Sequence, residues 1–366
     1  MQSLVALAKQ LKTPNEVGFQ PICFNINNDS DLSTLTSLLN TYNWIKVNND
    51  VIPQIKELIK SRNPWKKLTE EEFSIEVNNL LGGNPQEYYG NWFYYPWLNT
   101  IVHTLPEEEF IEVRTNRNKL KIKQHEQDLL RQKTIGIVGL SVGQSVAITI
   151  AMERICGHLK LADFDSLELS NLNRLRAGIA QLGTPKAIIA ARQILEIDPY
   201  ISVEIYPEGL TNENMETFLN NVDLLVEVCD EIAVKLKSRL VARKLGIPVV
   251  MDTNDRGMLD IERFDLDKTL PILHGLISDE EINNINSFTP EEKLSCILKL
   301  VSFENTSERL KESMQQIGKT INTWPQLASS VMIGAGSCTD TCRRILLKQT
   351  VSSGRFYMDT LSIIPE

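Results

Sequence analysis

Residues 161–178 bring acids, amides and arginines together in one short stretch, LADFDSLELSNLNRLRAG. The apolar residues at its start are typical of a buried strand, and Asp163 and Asp165 follow directly after it. Asn171 and Arg174 come a few residues later. An acid at the end of such a strand can bind ribose hydroxyls. The amides and arginines that follow one loop later make this stretch a candidate ligand-binding site.

A glycine-containing turn, IVGLSVGQS, precedes this stretch between a predicted strand and a predicted helix. Backbone amides hold phosphates in that context. Gly139 permits the tight turn, and Gly143 permits close backbone approach. Ser141 and Gln144 stand where a dinucleotide fingerprint has glycine, so a turn without a ligand is an open alternative. Asp163 lies 24 residues after Gly139, the spacing at which an acid binds ribose hydroxyls, and this favours a nucleotide.

Strands alternate regularly with helices from residue 134 to residue 254. This alternation predicts an α/β fold with a doubly wound, mostly parallel, Rossmann-like sheet. Thr184 is the predicted cap of the helix that contains AIIAARQILEI. Because ligands of such sheets lie beyond the carboxyl ends of the strands, we expect Gly139, Asp163, Asp230 and Asp252 along one rim. The predicted strands are TIGIVGL, LKLADFD, SVEIYPE, DLLVEVC and PVVMDTN, with a last strand in GRFYMDTLSI.

The composition changes near residue 110 and divides the chain into two predicted domains, 1–109 and 110–366. The first is an α+β module rich in aromatic residues. Its segment 88–105 predicts strands with a turn at Gly90 and Asn91. The aromatic residues are explained more simply by a domain core than by a peptide-binding surface, although recognition of a substrate or partner stays open.

The net charge of −9 argues against affinity for nucleic acid or for an anionic membrane. The apolar stretch 134–152 contains polar residues, which favours a buried strand, turn and helix over a membrane span, and the apolar run in residues 1–16 is too short for a signal peptide. The six cysteines have no disulfide or zinc-site spacing, which favours reduced thiols and the cytoplasm.

The strings DFDSLELSNLNRL, GTPKA and DLLVEVCDEIAVK resemble the HesA/MoeB/ThiF adenylyltransferases, bacterial relatives of ubiquitin-activating enzymes. The resemblance covers residues 110–350. It implies that the chain binds ATP and Mg²⁺ and activates the carboxylate of a small protein or peptide, forming an acyl-adenylate and pyrophosphate.

The resemblance also implies a role for each matching position. Asp163 would hold the ribose hydroxyls, and Asp230 would hold magnesium. Arg117, in RTNRN, would reach the nucleotide of the partner subunit in a homodimer. The implied catalytic residues are Arg117, Arg174, Lys186 and Asp230, and the implied nucleotide-binding residues are Gly139, Gly143, Asp163, Asp165, Asn171, Arg174 and Lys186.

Departures from the family pattern leave other functions open. The side chains of Ser141 and Val142 stand where family members present backbone to phosphate, and Glu231 adds a negative charge beside Asp230. A catalytically silent nucleotide-binding scaffold or sensor is therefore one alternative. An oxidoreductase that uses NAD(P) is another, since Gly139 and Asp163 suit it, but it gives no role to SNLNR or GTPKA.

Each candidate also has a structural explanation. Asp163 could cap a turn, Arg174 could form a surface ion pair and Asp230 could cap a helix. Asp252 fits a strand-end turn better than a second metal ligand. Cys296 is a candidate thiol for a thioester, but its apolar neighbours favour a buried, inert residue.

Overall fold

A computed structural model describes residues 18–364 of the chain. The chain divides into two compact units, Met1–Gln124 and His125–Glu366. This division falls later than the change in composition near residue 110. The predicted roles of the two domains stay predictions.

Within residues 18–124, the described part of the first unit contains a four-stranded sheet and four α-helices. The strand order is β1-β3-β4-β2, with β2 parallel to β4 and the other neighbours antiparallel. The strands are β1 (Ile22–Phe24), β2 (Lys46–Asn48), β3 (Asn91–Tyr95) and β4 (Thr100–Thr104), and the helices are α1 (Asp29–Thr41), α2 (Val51–Arg62), α3 (Glu70–Leu81) and α4 (Glu107–Arg114).

The predicted hairpin in residues 88–105 exists, but the predicted position of its turn is wrong. Asn91 begins β3, and the connection to β4 runs through a short 3₁₀ helix at Pro96–Leu98 to Asn99. Asn99 has a φ of 48°, a left-handed conformation that asparagine adopts more readily than most residues. Trp92 and Phe93 are buried, as expected for core residues, whereas Trp44 and Trp65 are exposed.

The second unit contains a seven-stranded sheet in the order β11-β10-β9-β8-β5-β6-β7. The five strands from β9 to β7 in this order are parallel, and β10 is antiparallel to both of its neighbours. The mostly parallel sheet is confirmed, but β10 is absent from the predicted strands. The strands are β5 (Thr134–Val138), β6 (His158–Ala162), β7 (Ser202–Tyr206), β8 (Leu224–Glu227), β9 (Val249–Thr253), β10 (Met258–Glu262) and β11 (Gly354–Tyr357).

Two groups of helices cover this sheet. One group packs α6 against α7 and α13, and α13 also lies on β9. The other group shares a buried apolar cluster with Leu225 and Val249, so the sheet is doubly wound. The helices are α5 (Gln124–Leu130), α6 (Gly143–Glu153), α7 (Lys186–Ile197), α8 (Met215–Leu219), α9 (Ile232–Leu245), α10 (Asp279–Asn283), α11 (Pro290–Leu300), α12 (Glu308–Gln316), α13 (Ala328–Leu346) and α14 (Thr360–Ile363).

Helix α7 begins differently from the prediction. Pro185 occupies the N-cap position, and Thr184 makes no cap contact. Lys186 is therefore the first residue of the helix. The first N–H groups of a helix have no acceptor within the helix. The backbone N–H of Lys186 instead donates to the Asp165 carbonyl at 2.9 Å. This bond ties the start of α7 to the loop that follows β6.

Candidate functional site

The carboxyl ends of three neighbouring strands lie level at one edge of the sheet. Val138 at the end of β5 pairs with Ala162 of β6 on one side and with Glu227 of β8 on the other. The strand that follows β5 in the chain, β6, lies on one side of β5, and the later strand β8 lies on its other side. The place where the strand order reverses in this way is a switch point, and it opens a crevice in a doubly wound sheet.

A crevice of about 320 Å³ lies at this switch point. Most of the candidate residues converge on it, although they come from four separate segments of the chain. Those that line it are Gly139, Asp163, Asp165, Asn171, Arg174, Lys186 and Asp230, together with Ser141 and Glu231.

Gly139 meets a strict steric requirement. Its φ is +88°, and a Cβ at this position would lie 2.7 Å from the backbone nitrogen and Cα of Cys229. A side chain would therefore force apart the segments that follow β5 and β8. Gly143 has a different function, since its Cβ would meet Ile137 and Val228 side chains. It allows α6 to pack closely on the sheet, and it is not among the residues that line the crevice.

Asp163 connects the loops at the ends of β5 and β6. One carboxylate oxygen accepts from the Leu140 N–H at 2.6 Å, and the other accepts from the Asp165 N–H at 2.8 Å. Burial raises the pKa of this carboxyl. Asp163 thus stabilises the turn, in agreement with the alternative that it caps a turn. Because each carboxylate oxygen has a second lone pair, this does not prevent contact with a ligand in the crevice.

Lys186 is buried at the floor of the crevice and points toward Asp165. Its Nζ lies 2.7 Å from the Asp165 carboxylate, whose side chain is 52% exposed. A buried ammonium requires a partner, and the exposed Asp165 supplies one that can turn away toward solvent. Lys186 is therefore positioned as a cation that can exchange Asp165 for an anionic ligand.

Arg174 is held across the glycine turn by Ser141. Its Nε and one terminal nitrogen donate to the Ser141 hydroxyl at 3.2 and 3.0 Å. No carboxylate lies within ion-pair distance of this guanidinium in the part of the chain that is described, so the surface ion pair is wrong. Partial burial lowers its pKa, and the nearby Asp230 charge opposes that shift. Its other terminal nitrogen donates to the Asn173 side-chain oxygen at 2.9 Å and to the Ser170 carbonyl at 3.4 Å, and the residue lines the crevice.

Gln144, the other non-glycine position of the turn, has a structural role. Its side-chain carbonyl accepts from the Arg176 N–H at 3.0 Å, and its amide donates to the Gln193 carbonyl at 2.9 Å. Ser141 and Gln144 thus fasten the 170–176 loop to the start of α6. The family pattern suggested that the Ser141 side chain obstructs the crevice, whereas in the structure it supports the crevice wall together with Gln144.

Asp230 lies at the rim of the crevice, beyond β8. Its side chain is exposed and forms no hydrogen bond or ion pair with other residues in 18–364. The helix-cap alternative is wrong, because Glu231 occupies the N-cap position of α9. Asn171 lies opposite, and its carbonyl oxygen accepts from the Glu168 N–H at 3.0 Å. These two side chains leave oxygen and amide groups available to a ligand.

A family model described as the ThiF family matches residues 115–258. These residues contain every crevice position named above. Residues 115–258 form a ThiF family domain.

The chain that contains this ThiF domain is similar to several known proteins. An uncharacterised protein of Mycobacterium tuberculosis is 40% identical over 268 residues, 73% of this chain and 38% of that protein. A Bacillus subtilis protein named tRNA threonylcarbamoyladenosine dehydratase is 28% identical over 42% of this chain and 63% of its own length. A Thermus thermophilus sulfur carrier protein adenylyltransferase is 28% identical over 34% of this chain and 46% of its own length. The chain thus spans less than two thirds of each relative.

A buried ionic network supports the ThiF domain beneath Asp230, and no motif in the sequence indicates it. Glu227 is fully buried at the end of β8, and it accepts from the Cys229 N–H at 2.9 Å. Burial acts to raise its pKa, but Lys235 and Arg239 outweigh this effect and hold the pKa at about 2. Arg239 also donates to Glu262 at 2.6 Å. The network fixes the backbone that carries Asp230.

Asp252 does not lie on the rim of the ThiF domain as predicted. It is the fourth residue of β9, it is buried, and neither carboxylate oxygen has a hydrogen-bond partner among the described residues. Desolvation raises its pKa to about 7. Its carboxylate packs against Gly334 of α13, where any side chain would collide with it. Asp252 therefore belongs neither to a strand-end turn nor, among the described residues, to a metal-binding group.

Arg117 belongs to the first compact unit, in a 3₁₀ helix at Asn116–Asn118. Its reach to a partner subunit stays a prediction. All six cysteines are free, and burial raises the pKa of the Cys296 thiol. Within residues 18–364, no helix is long and apolar enough to cross a membrane, and no three His, Cys, Asp or Glu residues form a metal-binding group. The predicted absence of a signal peptide concerns residues outside those described.

Proposed function

We propose that this chain is an ATP-dependent adenylyltransferase that activates the carboxylate of a peptide or small protein. The observation that carries the proposal is the convergence of Asp163, Asn171, Arg174, Lys186 and Asp230 on one crevice within a ThiF family domain. The name of the Thermus thermophilus relative agrees with this class of reaction.

The reaction needs positioned charge and no proton transfer. A carboxylic acid with a pKa of ~4 arrives ionised. Its oxygen attacks the α-phosphorus of ATP, the bond from that phosphorus to the bridging oxygen breaks, and pyrophosphate leaves. The difficulty is repulsion between the two anions, which cations at the phosphates reduce. Arg174 and Lys186 supply two such cations at the crevice.

Asp230 is the residue that would hold Mg²⁺. Magnesium is usually bound by one or two carboxylates together with waters and substrate phosphates, and an exposed carboxylate with no protein partner among the described residues fits that pattern. Glu231, which also lines the crevice, offers a second oxygen ligand. When bound, Mg²⁺ neutralises charge on the phosphates.

The altered glycine turn is compatible with nucleotide binding. Val142 is buried, is not among the residues lining the crevice, and is therefore no obstacle to phosphate. The Ser141 hydroxyl lies at the crevice, but it holds Arg174 there. These contacts favour an active enzyme over a silent scaffold, because they orient a cation at the predicted phosphate position.

Two parts of the proposal concern the whole protein. The chain would act as a homodimer, with Arg117 completing the site of the partner subunit, as the family resemblance implies. It would work in the cytoplasm, where free thiols such as its six cysteines persist.

Pyrophosphate–ATP exchange in the presence of Mg²⁺ and short peptides tests the proposal. We expect exchange with the wild-type chain and a loss of ~10- to 100-fold with Arg174→Ala, because charge-assisted hydrogen bonds contribute ~1.5–3 kcal/mol. Asp230→Ala should weaken the dependence on Mg²⁺. Arg243→Ala is the matched control, since Arg243 pairs with Asp279 on α10 and is outside the crevice.

Three outcomes separate the candidate functions. If wild-type protein binds ATP·Mg by calorimetry and forms no product, the silent scaffold is correct. If NADH fluorescence changes on binding and ATP does not bind, the oxidoreductase is correct. Equal activity of Arg174→Ala and Arg243→Ala would refute the assignment of the crevice as the active site.

A further inference from the structure

A second pocket of about 210 Å³ opens beside the crevice in the same compact unit. Val228, Cys229 and Asp230 line both cavities, so the two meet at the end of β8. Helices α11 and α12 and the segment before α13 form its outer wall. Nothing in the mechanism above uses this pocket.

The order of the strands indicates where this pocket lies relative to a bound nucleotide. The sheet runs β6, β5, β8, β9, and Asp163, Gly139 and Asp230 follow the first three of these strands in turn. A nucleotide whose ribose meets Asp163 therefore has its phosphates toward Asp230. The second pocket includes Thr253 and Asn254 at the end of β9, on the far side of Asp230. An acid held in this pocket would reach the phosphates from that side.

The lining of the pocket is mainly apolar. Met251, Met258, Leu300, Val301 and Leu310 contribute aliphatic or thioether surface, and Trp324 contributes an aromatic ring. Apolar surface of this kind favours an apolar occupant, because transfer of such a group from water is favourable in proportion to the area buried.

A few buried polar atoms among these walls have no partner within the described part of the chain. They are the side-chain oxygens of Asn254 and Gln326, two residues that line the pocket. Buried polar atoms are normally hydrogen-bonded, and an amide oxygen accepts hydrogen bonds. The pocket is therefore suited to an occupant that has an apolar body and at least one N–H donor.

We propose that this pocket binds the last residue of the acid substrate, and that this residue has a large apolar side chain. The inference rests on the proposed function. A peptide that ends in leucine, methionine or phenylalanine offers the apolar body and a backbone N–H next to the reacting carboxylate. A peptide that ends in glycine leaves the apolar walls in contact with water. Selection for the last residue thus follows from the shape and chemistry of the pocket.

Peptides of one sequence that differ only in the last residue test this inference with the full chain. In pyrophosphate–ATP exchange, we expect kcat/KM to be ~10- to 200-fold higher for leucine or phenylalanine than for glycine, as for other apolar pockets. Val301→Phe should fill the pocket and reduce this preference at least several-fold. Leu294→Phe is the matched control, because Leu294 is an exposed residue of the neighbouring helix α11. Equal kcat/KM for glycine and leucine, or equal effects of the two variants, would overturn the inference.

Tryptophan fluorescence gives a second readout that does not require activity. Trp324 lines the pocket, and the other four tryptophans precede residue 98. A saturable change on addition of the leucine peptide, absent with the glycine peptide and in Trp324→Phe, supports the inference. If no peptide supports exchange, the proposed function is wrong, and this titration still shows whether the pocket binds the last residue of a peptide. No change with any peptide would show that the pocket does not bind the last residue.

Discussion

Substitution of Gly139 by alanine tests the geometry of the crevice most directly. The φ of +88° costs alanine ~1–2 kcal/mol relative to glycine. The new Cβ would also lie 2.7 Å from backbone atoms of Cys229. Because backbone cannot move as a side chain does, we expect a further cost of ~1–3 kcal/mol from overpacking. The total loss in the free energy of unfolding should be ~2–5 kcal/mol.

Gly183→Ala is the matched control for this experiment. Gly183 has a φ of +80°, and a Cβ there would meet nothing within 4 Å. Gly183→Ala therefore has the free-energy cost of a left-handed backbone conformation without the cost of a steric clash. The smaller conformational entropy of unfolded alanine chains affects both variants equally. The difference between the two variants isolates the contact with Cys229.

Urea unfolding of the full chain, followed by circular dichroism and fitted with a separate transition for each compact unit, measures both variants. We expect Gly139→Ala to lose ~1–3 kcal/mol more than Gly183→Ala and also to bind ATP·Mg more weakly in calorimetry. Equal losses of stability would show that the close approach between the ends of β5 and β8 does not require glycine. That result would refute the steric account of the turn.

Three further changes test other parts of the structure. Ser141→Ala should raise the Kd for ATP·Mg ~2- to 10-fold in calorimetry, because it removes the hydroxyl that accepts two hydrogen bonds from Arg174 and loss of such a contact costs ~0.5–1.5 kcal/mol; an unchanged Kd would contradict this. Arg239→Met should lower the free energy of unfolding by ~3–5 kcal/mol, since it removes the ion-pair partner of buried Glu262 and one of the two cations beside Glu227, whereas Arg243→Met, with a half-exposed partner, should cost under ~1 kcal/mol. Asp252 has a folded pKa of about 7, above its unfolded value of ~3.9, so the folded state binds the extra proton and the contribution of Asp252 to wild-type stability should fall as the pH rises from ~4 to 7. This fall should disappear in Asp252→Asn when urea unfolding is measured across that range, and an identical pH dependence of the two proteins would refute the shift.

The turn after β5 shows what a local motif specifies and what it leaves open. The sequence predicted the strand, the turn and the helix, and it predicted that Asp163 lies near Gly139. It also suggested that the Ser141 and Val142 side chains disturb the site, and it placed Gln144 where the fingerprint has glycine. Their side chains in fact point in three directions: Ser141 contacts Arg174, Gln144 contacts Arg176, and Val142 is buried. The direction of a side chain depends on neighbours that are distant in the chain, and a local motif does not specify them.

The alternation of strands and helices in the second unit, and the positions where most of the strands end, can be predicted from the amino-acid sequence alone. Apolar periodicity is a local property, and the carboxyl ends of parallel strands must lie at one edge of the sheet. For that reason the order of residues is enough to place Gly139, Asp163 and Asp230 on one rim.

The partners of these residues are set by the tertiary fold. The pairing of Lys186 with Asp165, the network of Glu227 with Arg239, the unpaired Asp252 and the pocket beneath α11 and α12 all join distant segments of the described chain. Burial and pKa values follow from these contacts, because desolvation and charge act over a few ångströms of space. Distance along the chain does not determine distance in space, so the chemistry of the site exists only in the folded protein.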